Sequence, residues 1–297
     1  MNTIPHWIGD YQHEIHRALD AFFLKRYEES SGIEAEFESA LRYAVQGGGK
    51  RIRPILALIA YEYFCDKYPG TCEISRENVL MSIIGIELIH CFTLVHDDLP
   101  CMDNDELRRG KPTVWKVYGE TMAVLVGDTL QTMGFECLAR SGNARVVLEI
   151  ANALGDLGVA RGQVRDTLSN QSDISVEELL RLHDEKTGVF IAHALVVGAI
   201  LGGAHQDDLP LFRKYGMQLG RAFQIQDDIL DYEGDIALVG KKIGKDVELG
   251  KGIVTKIGID KSKELLKNIE SELSSLIHLI GDERLLDIQR FVIKRRS

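Results

Sequence analysis

Apolar residues recur along this chain mainly at helical spacing, and the alternation expected of strands is scarce. The stretches "LRYAV", "RPILALIAYEYF", "NVLMSIIGIELIHCFTLVHDD", "MAVLVGDTLQTMGFECLA" and "RKYGMQLGRAFQIQDDILDY" all place apolar side chains at i, i+3 and i+4. The predicted fold class is all-α. Several of these segments are apolar nearly all round, as interior helices of a large bundle are, so residues 1–297 are expected to form one compact domain. Punctuation divides the chain into about ten helices. "QGGGKRIRP" ends one helix and restarts another at Pro54, "RRGKPTVW" reads as a loop, and "SNQSDIS" precedes a short capped helix at "SVEELL". Residues 233–252 carry five glycines and no periodicity, which predicts a long loop of the kind that is functional or disordered. The longest apolar run, "VFIAHALVVGAILGGA", is about a turn short of a bilayer span and contains His193, so a buried core helix is expected.

Charge narrows the partners. The chain has 45 acidic and 35 basic residues, a formal net charge of -10, which argues against nucleic acid and offers no polybasic face to anionic lipid. Five cysteines, Cys65, Cys72, Cys91, Cys101 and Cys137, are scattered without a C-x-x-C pair or zinc spacing. They are read as reduced thiols of a cytoplasmic protein. The first twenty residues carry early charges and no apolar core of a secretory signal.

Against this background two acidic clusters stand out. "DDLPCMDND" crowds Asp97, Asp98, Asp103 and Asp105 behind a long apolar stretch, and "FQIQDDILDYEGD" repeats the theme with Asp227, Asp228 and Asp231. On a helix Asp227 and Asp231 lie one turn apart with Gln224 near the same face, a like-charge spacing that is unfavourable unless a cation is present. Ile225, Ile229 and Leu230 flank these acids, so the carboxylates are expected at the lip of the core, where a partner is needed. At the first cluster Pro100 disfavours continuing the helix beyond Asp98, and the turn returns the chain at Asp103 and Asp105. Donor sets dominated by carboxylates, with Cys101 the one thiol between the acids and no histidine among them, favour a hard cation, Mg²⁺ or Mn²⁺, over zinc. Such an ion completes its shell with water and phosphate. Two acidic walls of this kind suit a reaction whose leaving group is diphosphate.

An anionic substrate in an acidic protein requires local cations, and three glycine-bearing stretches supply them: "GGGKRIRP", "LRRGKPT" and "HDEKTG". In the first, Gly47, Gly48 and Gly49 let backbone approach an anion while Lys50, Arg51 and Arg53 provide charge. It is not a P-loop, since G-x-x-x-x-G-K-[ST] is absent. His90 lies seven residues before Asp97 on the same helix face, which makes it either a core histidine or a diphosphate donor; Thr93 shares that face.

Together these residues resemble the trans-isoprenyl diphosphate synthases, most of all the bacterial farnesyl diphosphate synthases. The resemblance runs from about residue 34 nearly to the end. "DDLPCMD" is similar to the family's first aspartate motif, D-D-x-x-x-x-D, and "DDILD" to the second, D-D-x-x-D, with "GGGKRIRP", "LRRGKPT", "EKTG" and "FQIQ" in the expected order. The resemblance implies a single bundle of ten or more helices around a central cavity, a homodimer, and three Mg²⁺ ions. It implies an allylic diphosphate that ionises to a carbocation and isopentenyl diphosphate that attacks it. By motif, Asp97, Asp103 and Asp227 are the expected metal ligands, with Asp98 and Asp231 acting directly or through water. Lys50, Arg53, His90 and Arg109 are expected to hold isopentenyl diphosphate. Arg108, Lys186 and Lys241 would grip the allylic diphosphate, and Thr187 and Gln224 would place oxygens near the developing cation. Asp228 and Lys251 carry weaker assignments.

The chain departs from the family in two places. Where similar enzymes read a lysine followed by T-Y-P, this one has "GKGIVTK", and "GVARGQVRD", which fits G-Q-x-x-D at Gly162, Gln163 and Asp166, has unusually charged neighbours. Phe92, five residues before Asp97, resembles the farnesyl-forming pattern and predicts a C15 product. The plant geranylgeranyl-forming relatives that share "DLPCMDND" usually carry a smaller residue there. Helix geometry puts Thr93 rather than Phe92 on the face of Asp97, so core packing is the competing role for Phe92. Other classes compete less well. A metal phosphohydrolase would use the two "HD" pairs, His96-Asp97 and His183-Asp184, but leaves the second acidic cluster unexplained. A regulatory subunit should have lost an aspartate motif, and a terpene cyclase has no use for Lys50, Arg53 and His90.

Overall fold

The computed structural model describes residues 5–27, 31–72, 74–168, 174–233 and 252–293. Lys241, Lys251 and most of the glycine-rich segment lie outside the described residues. The described chain is all-α apart from one two-stranded hairpin, as its periodicity predicts. Its Cα packing divides it into two compact units, residues 1–58 with 73–147 and residues 59–72 with 148–297.

The first unit holds α1 (His6–Arg26), α2 (Ile33–Gln46), the start of α3 (Ile52–Lys67), α4 (Arg76–Asp97), β1 (Leu107–Arg108), β2 (Lys111–Pro112), α5 (Val114–Tyr118), α6 (Glu120–Ala139) and the start of α7 (Ala144–Leu154). The helix α4 begins at Ser75, whose hydroxyl accepts from Asn78 N at 3.3 Å, an N-cap in the ordinary sense. Along it Val79, Ile83, Ile84, Ile86, Leu88 and Ile89 are fully buried. Close approach to α6 depends on paired glycines, since a Cβ on Gly85 would lie 2.7 Å from Gly134 O. Among the described residues α4 is the one helix long and apolar enough to cross a bilayer, yet 61% of that stretch is buried in the protein. Two expectations change in this unit. The helix after the glycines restarts at Ile52 rather than Pro54, because a first-turn proline forfeits only an N–H that has no helical partner. "RRGKPTVW" is a hairpin leading into a short helix rather than a loop.

The second unit holds the remainder of α3 and α7, then α8 (Val159–Leu168), α9 (Val176–His183), a π turn (Asp184–Gly188), α10 (Val189–Leu201), a 3₁₀ turn (Gln206–Asp208), α11 (Leu209–Glu233), α12 (Ile253–Ile257), α13 (Ile259–Ile280) and α14 (Arg284–Ile293). The predicted short capped helix is α9, closed by a capping box between Ser175 and Glu178. As predicted, α10 is a core helix, with Phe190 to Leu201 buried except for His193. His193 Nδ1 instead meets Glu149 at 2.7 Å, and Arg213 Nη2 meets the same carboxylate at 2.9 Å. All five cysteines are free thiols.

Candidate active site

The first acidic cluster takes its shape from the way α4 stops. Asp98 N donates to Leu94 O at 3.1 Å, and beyond Pro100 the chain folds back so that Asp103 N reaches Asp97 O at 2.8 Å. Asp105 N reaches Asp98 O at 3.2 Å, and Asn104 turns the corner at φ 51°, a left-handed conformation that asparagine tolerates. Thr113 Oγ1 and Trp115 Nε1 both donate to Asp105 O at 2.9 Å, which pins the far end of the turn. Asp97 and Asp103 are therefore brought together by backbone, as their spacing predicts. Asp98 is a different kind of group. It is buried, and both of its carboxylate oxygens lie 2.8 Å from Arg108 Nε. This fork pairs two residues that the sequence assigned to separate roles, metal and substrate.

The basic side of the same unit is assembled from two interlocked loops. The hairpin between β1 and β2 turns at Arg109 and Gly110, both with positive φ, as the tightest hairpins require. Arg109 Nη1 donates to Gly48 O, and a Cβ on Gly49 would lie 2.6 Å from the Arg109 guanidinium, so only glycine leaves room for it. Arg53 Nη1 stands 3.2 Å from His90 Nε2, while the Lys50 carbonyl accepts from Gln12 Nε2 at 3.0 Å. Arg51 does not join them. Held at φ 53°, its buried side chain forms an ion pair with buried Glu87 and donates to Val45 O at 2.6 Å and His16 Nε2 at 3.1 Å. Its charge is consumed inside the unit, which corrects the expectation that it meets an anion. Burial pushes Arg53 down to about 10, aided by Arg109 and opposed by Glu87. His90 is held well below the usual imidazole value by burial and then by Arg53, Arg109, Arg108 and Arg51. Positive charge is thus concentrated around His90, which is itself neutral near pH 7 with one N–H to give. Phe92 is half-buried and meets His96 edge-on, with ring centroids 5.4 Å apart; His96 Nε2 in turn lies 3.1 Å from Val124 O.

In the second unit the acidic cluster rides on α11. Ile225 and Ile229 are buried beside Asp227 and Asp231, which are half-buried one turn apart at the edge of the core, as expected. Asp228 is committed to the backbone, since its Oδ2 accepts from Ile253 N at 2.6 Å and fixes the start of α12. His183 Nε2 approaches that oxygen at 3.7 Å, and burial pushes this imidazole down to about 4. Lys186 and Thr187 lie on the π turn, a local widening of the helix found often at functional sites. Thr187 Oγ1 donates to Gln224 Oε1 at 2.9 Å, so these two predicted oxygens do meet. Lys186 Nζ pairs with Asp166 of the G-Q-x-x-D segment. Sequence reasoning missed the π turn and Arg221, whose guanidinium binds Asp184, and it placed His183 only in a rival phosphohydrolase pair rather than beside Asp228. The one advance signal was the cluster of charges in "HDEKTG" beside a glycine.

No set of three or more ligating side chains converges among the described residues. The assigned donors are carboxylates, Asp97 with Asp103 in one unit and Asp227 with Asp231 in the other. Hard oxygen donors of this sort fit Mg²⁺, which keeps several waters and shares substrate phosphates; a closed structural site would need more protein ligands.

Residues 34–275 match the polyprenyl synthetase family, and the chain belongs to it. It is a prenyltransferase of that family. Among curated relatives, a chloroplastic geranylgeranyl pyrophosphate synthase of Catharanthus roseus is 40% identical over 247 residues, 80% of this chain and 67% of the relative. Geranylgeranyl pyrophosphate synthase 7 of Arabidopsis thaliana is 38% identical over 275 residues, 88% of this chain and 77% of the relative. Among solved structures, an FPP/GFPP synthase from Zymomonas mobilis superposes with a TM-score of 0.80 at 31% identity, covering 96% of this chain and 98% of that one. A geranyltransferase from Legionella pneumophila gives 0.79 at 28% identity, covering 98% and 96%.

Proposed function

We propose that this prenyltransferase condenses isopentenyl diphosphate with dimethylallyl and then geranyl diphosphate to give (2E,6E)-farnesyl diphosphate. The observation that carries this reading is the composition of the first unit, where a turn of carboxylates closing α4 and a knot of arginines around a neutral His90 occur in one acidic protein. Lys50, Arg53, His90 and Arg109 hold the diphosphate of isopentenyl diphosphate. The depressed Arg53, Arg109 and His90 are relieved when an anion arrives. Asp97, Asp103, Asp227 and Asp231 are the residues that would hold Mg²⁺. When bound, the metal supplies charge to a departing diphosphate. Asp98 serves by orienting Arg108, which with Lys186 and Lys241 grips the allylic diphosphate; Lys241 lies outside the described residues. Thr187 Oγ1 and Gln224 Oε1 turn oxygen dipoles toward the allylic carbon as it becomes cationic, so that the second substrate's double bond attacks before water does, and the departed diphosphate takes the proton shed as the new alkene forms. A homodimer and a cytoplasmic location complete the reading.

Product length rests on Phe92 as a floor, which favours C15. A second reading, geranylgeranyl diphosphate, is favoured by the names of the plant relatives. The experiment is an incubation of purified protein with Mg²⁺, labelled isopentenyl diphosphate and each allylic starter, with products sized by chromatography. A C15 product is expected, C20 would select the second reading, and phosphate release without any condensation would overturn both. Asp97→Ala and Asp227→Ala should each lose at least about a hundredfold in rate, the scale of several kcal/mol of charge stabilisation. Chelation of the metal should abolish turnover.

A further inference from the structure

Three consecutive residues of the π turn end in ion pairs to neighbouring helices. Asp184 binds Arg221 of α11, with Nε 2.9 Å from Oδ1 and Nη2 on Oδ2. Glu185, only 8% exposed, binds two arginines of α8, Arg161 Nε at 3.0 Å and Arg165 Nε at 2.8 Å. Lys186 binds Asp166, also of α8. The backbone is gripped as well. A Cβ on Gly162 of α8 would lie 2.5 Å from Lys186 N, and one on Gly220 of α11 would lie 2.9 Å from Gly188 N.

A single π turn inserts one extra residue into an α-helical path and rarely sustains itself. Were it to relax to α geometry, the side chains on one side of it would rotate by about 100° relative to the other. Thr187 would then turn away from Gln224, and Lys186 from its present direction. We propose that Arg221, Arg161 and Arg165 are positioning residues that hold this turn open, with the carboxylates of Asp184 and Glu185 as their handles. The charges that make the G-Q-x-x-D segment depart from the family pattern are the partners Glu185 requires. This inference rests on the prenyltransferase reading in one respect, that Lys186 and Thr187 face the allylic substrate.

The test compares wild type with Arg221→Gln, Arg165→Gln and the isosteric Asp184→Asn, with Arg221→Lys as rescue. The measurements are kcat, the KM for each substrate, thermal midpoint, and amide hydrogen exchange of the peptide spanning residues 184–188. In the three disabled variants kcat should fall by about tenfold to a hundredfold, the scale of a misplaced catalytic group. The KM for the allylic diphosphate should rise, the KM for isopentenyl diphosphate should not move, exchange at 184–188 should quicken, and Arg221→Lys should recover most of the loss. A lowered thermal midpoint with both KM values unchanged, or an equal rise in both, would mark these arginines as merely structural and overturn the proposal. A wild type that condenses nothing sinks the functional reading instead. In that case unaltered exchange at 184–188 in Arg221→Gln still refutes the clasp.

Discussion

Glu87→Leu isolates the buried ion pair beneath the basic loop. Arg51 and Glu87 expose 0% and 2% of their side chains, so solvent screens neither partner. Removing one member of such a pair typically costs about 3–5 kcal/mol, because the survivor stays charged and buried. Arg51 would keep Val45 O and His16 as acceptors, which cannot supply a countercharge. Its φ of 53° adds to the pressure, since a left-handed non-glycine residue costs about 1–2 kcal/mol that the pair now overcomes. The expected loss therefore lies near the top of the range. It should appear in urea unfolding as a lower midpoint with an unaltered slope. Since Arg51 lies between Lys50 and Arg53, the same variant should raise the KM for isopentenyl diphosphate. The apolar double variant Arg51→Met/Glu87→Leu removes both charges and should be more stable than Glu87→Leu alone. A loss below about 1 kcal/mol for Glu87→Leu, or a double variant no better than the single, would refute the reasoning.

Four further substitutions have outcomes that the geometry sets. Desolvation alone would raise the Glu149 carboxyl, but hydrogen bonds from His193 and Arg213 outweigh it and hold the group at about 2. A carboxyl depressed on folding stabilises above its unfolded value of about 4.5 and loses that stabilisation as pH falls toward 2. Glu149→Gln should accordingly cost about 2–3 kcal/mol at pH 7 in denaturant titrations, and the gap to wild type should close between pH 4.5 and 2. If Phe92 is the floor proposed above, Phe92→Ala should lengthen the chromatographed product relative to wild type; an unchanged distribution would refute that role. Gly85→Ala sets overpacking against Gly134, at about 1–3 kcal/mol, against a helix-propensity gain of at most about 1, so thermal stability should drop. Gly9→Ala in α1, with nothing within 4 Å of the new methyl, should instead raise it.

The parts of this molecule that could be read from sequence are those set by local rules. Helical periodicity foretold α4 and α11, the long apolar run foretold α10 as a core helix, and Pro100 foretold where α4 stops and that the chain turns back at Asp103. The polar run before "SVEELL" announced α9. What escaped reading depends on partners distant in sequence. Nothing local separates Arg51 from Lys50 or Arg53, because the distinguishing feature is Glu87, thirty-six residues away. Asp98 and Arg108 looked like members of separate sets until their fork joined them. The motif already ranks Asp228 below Asp227, but the role it takes instead depends on Ile253, on the far side of the glycine-rich segment. The π turn has no sequence signature of its own, and its stabilising charges looked like noise around a motif.

The guanidinium of Arg109 fills the space that Gly49 leaves in the opposite loop and donates to the Gly48 carbonyl, so each loop is held by the other. Their amides should accordingly exchange with solvent as one cooperative group. A substitution at Gly49 would be felt at the hairpin tip, and sequence drift there would have to proceed by paired changes.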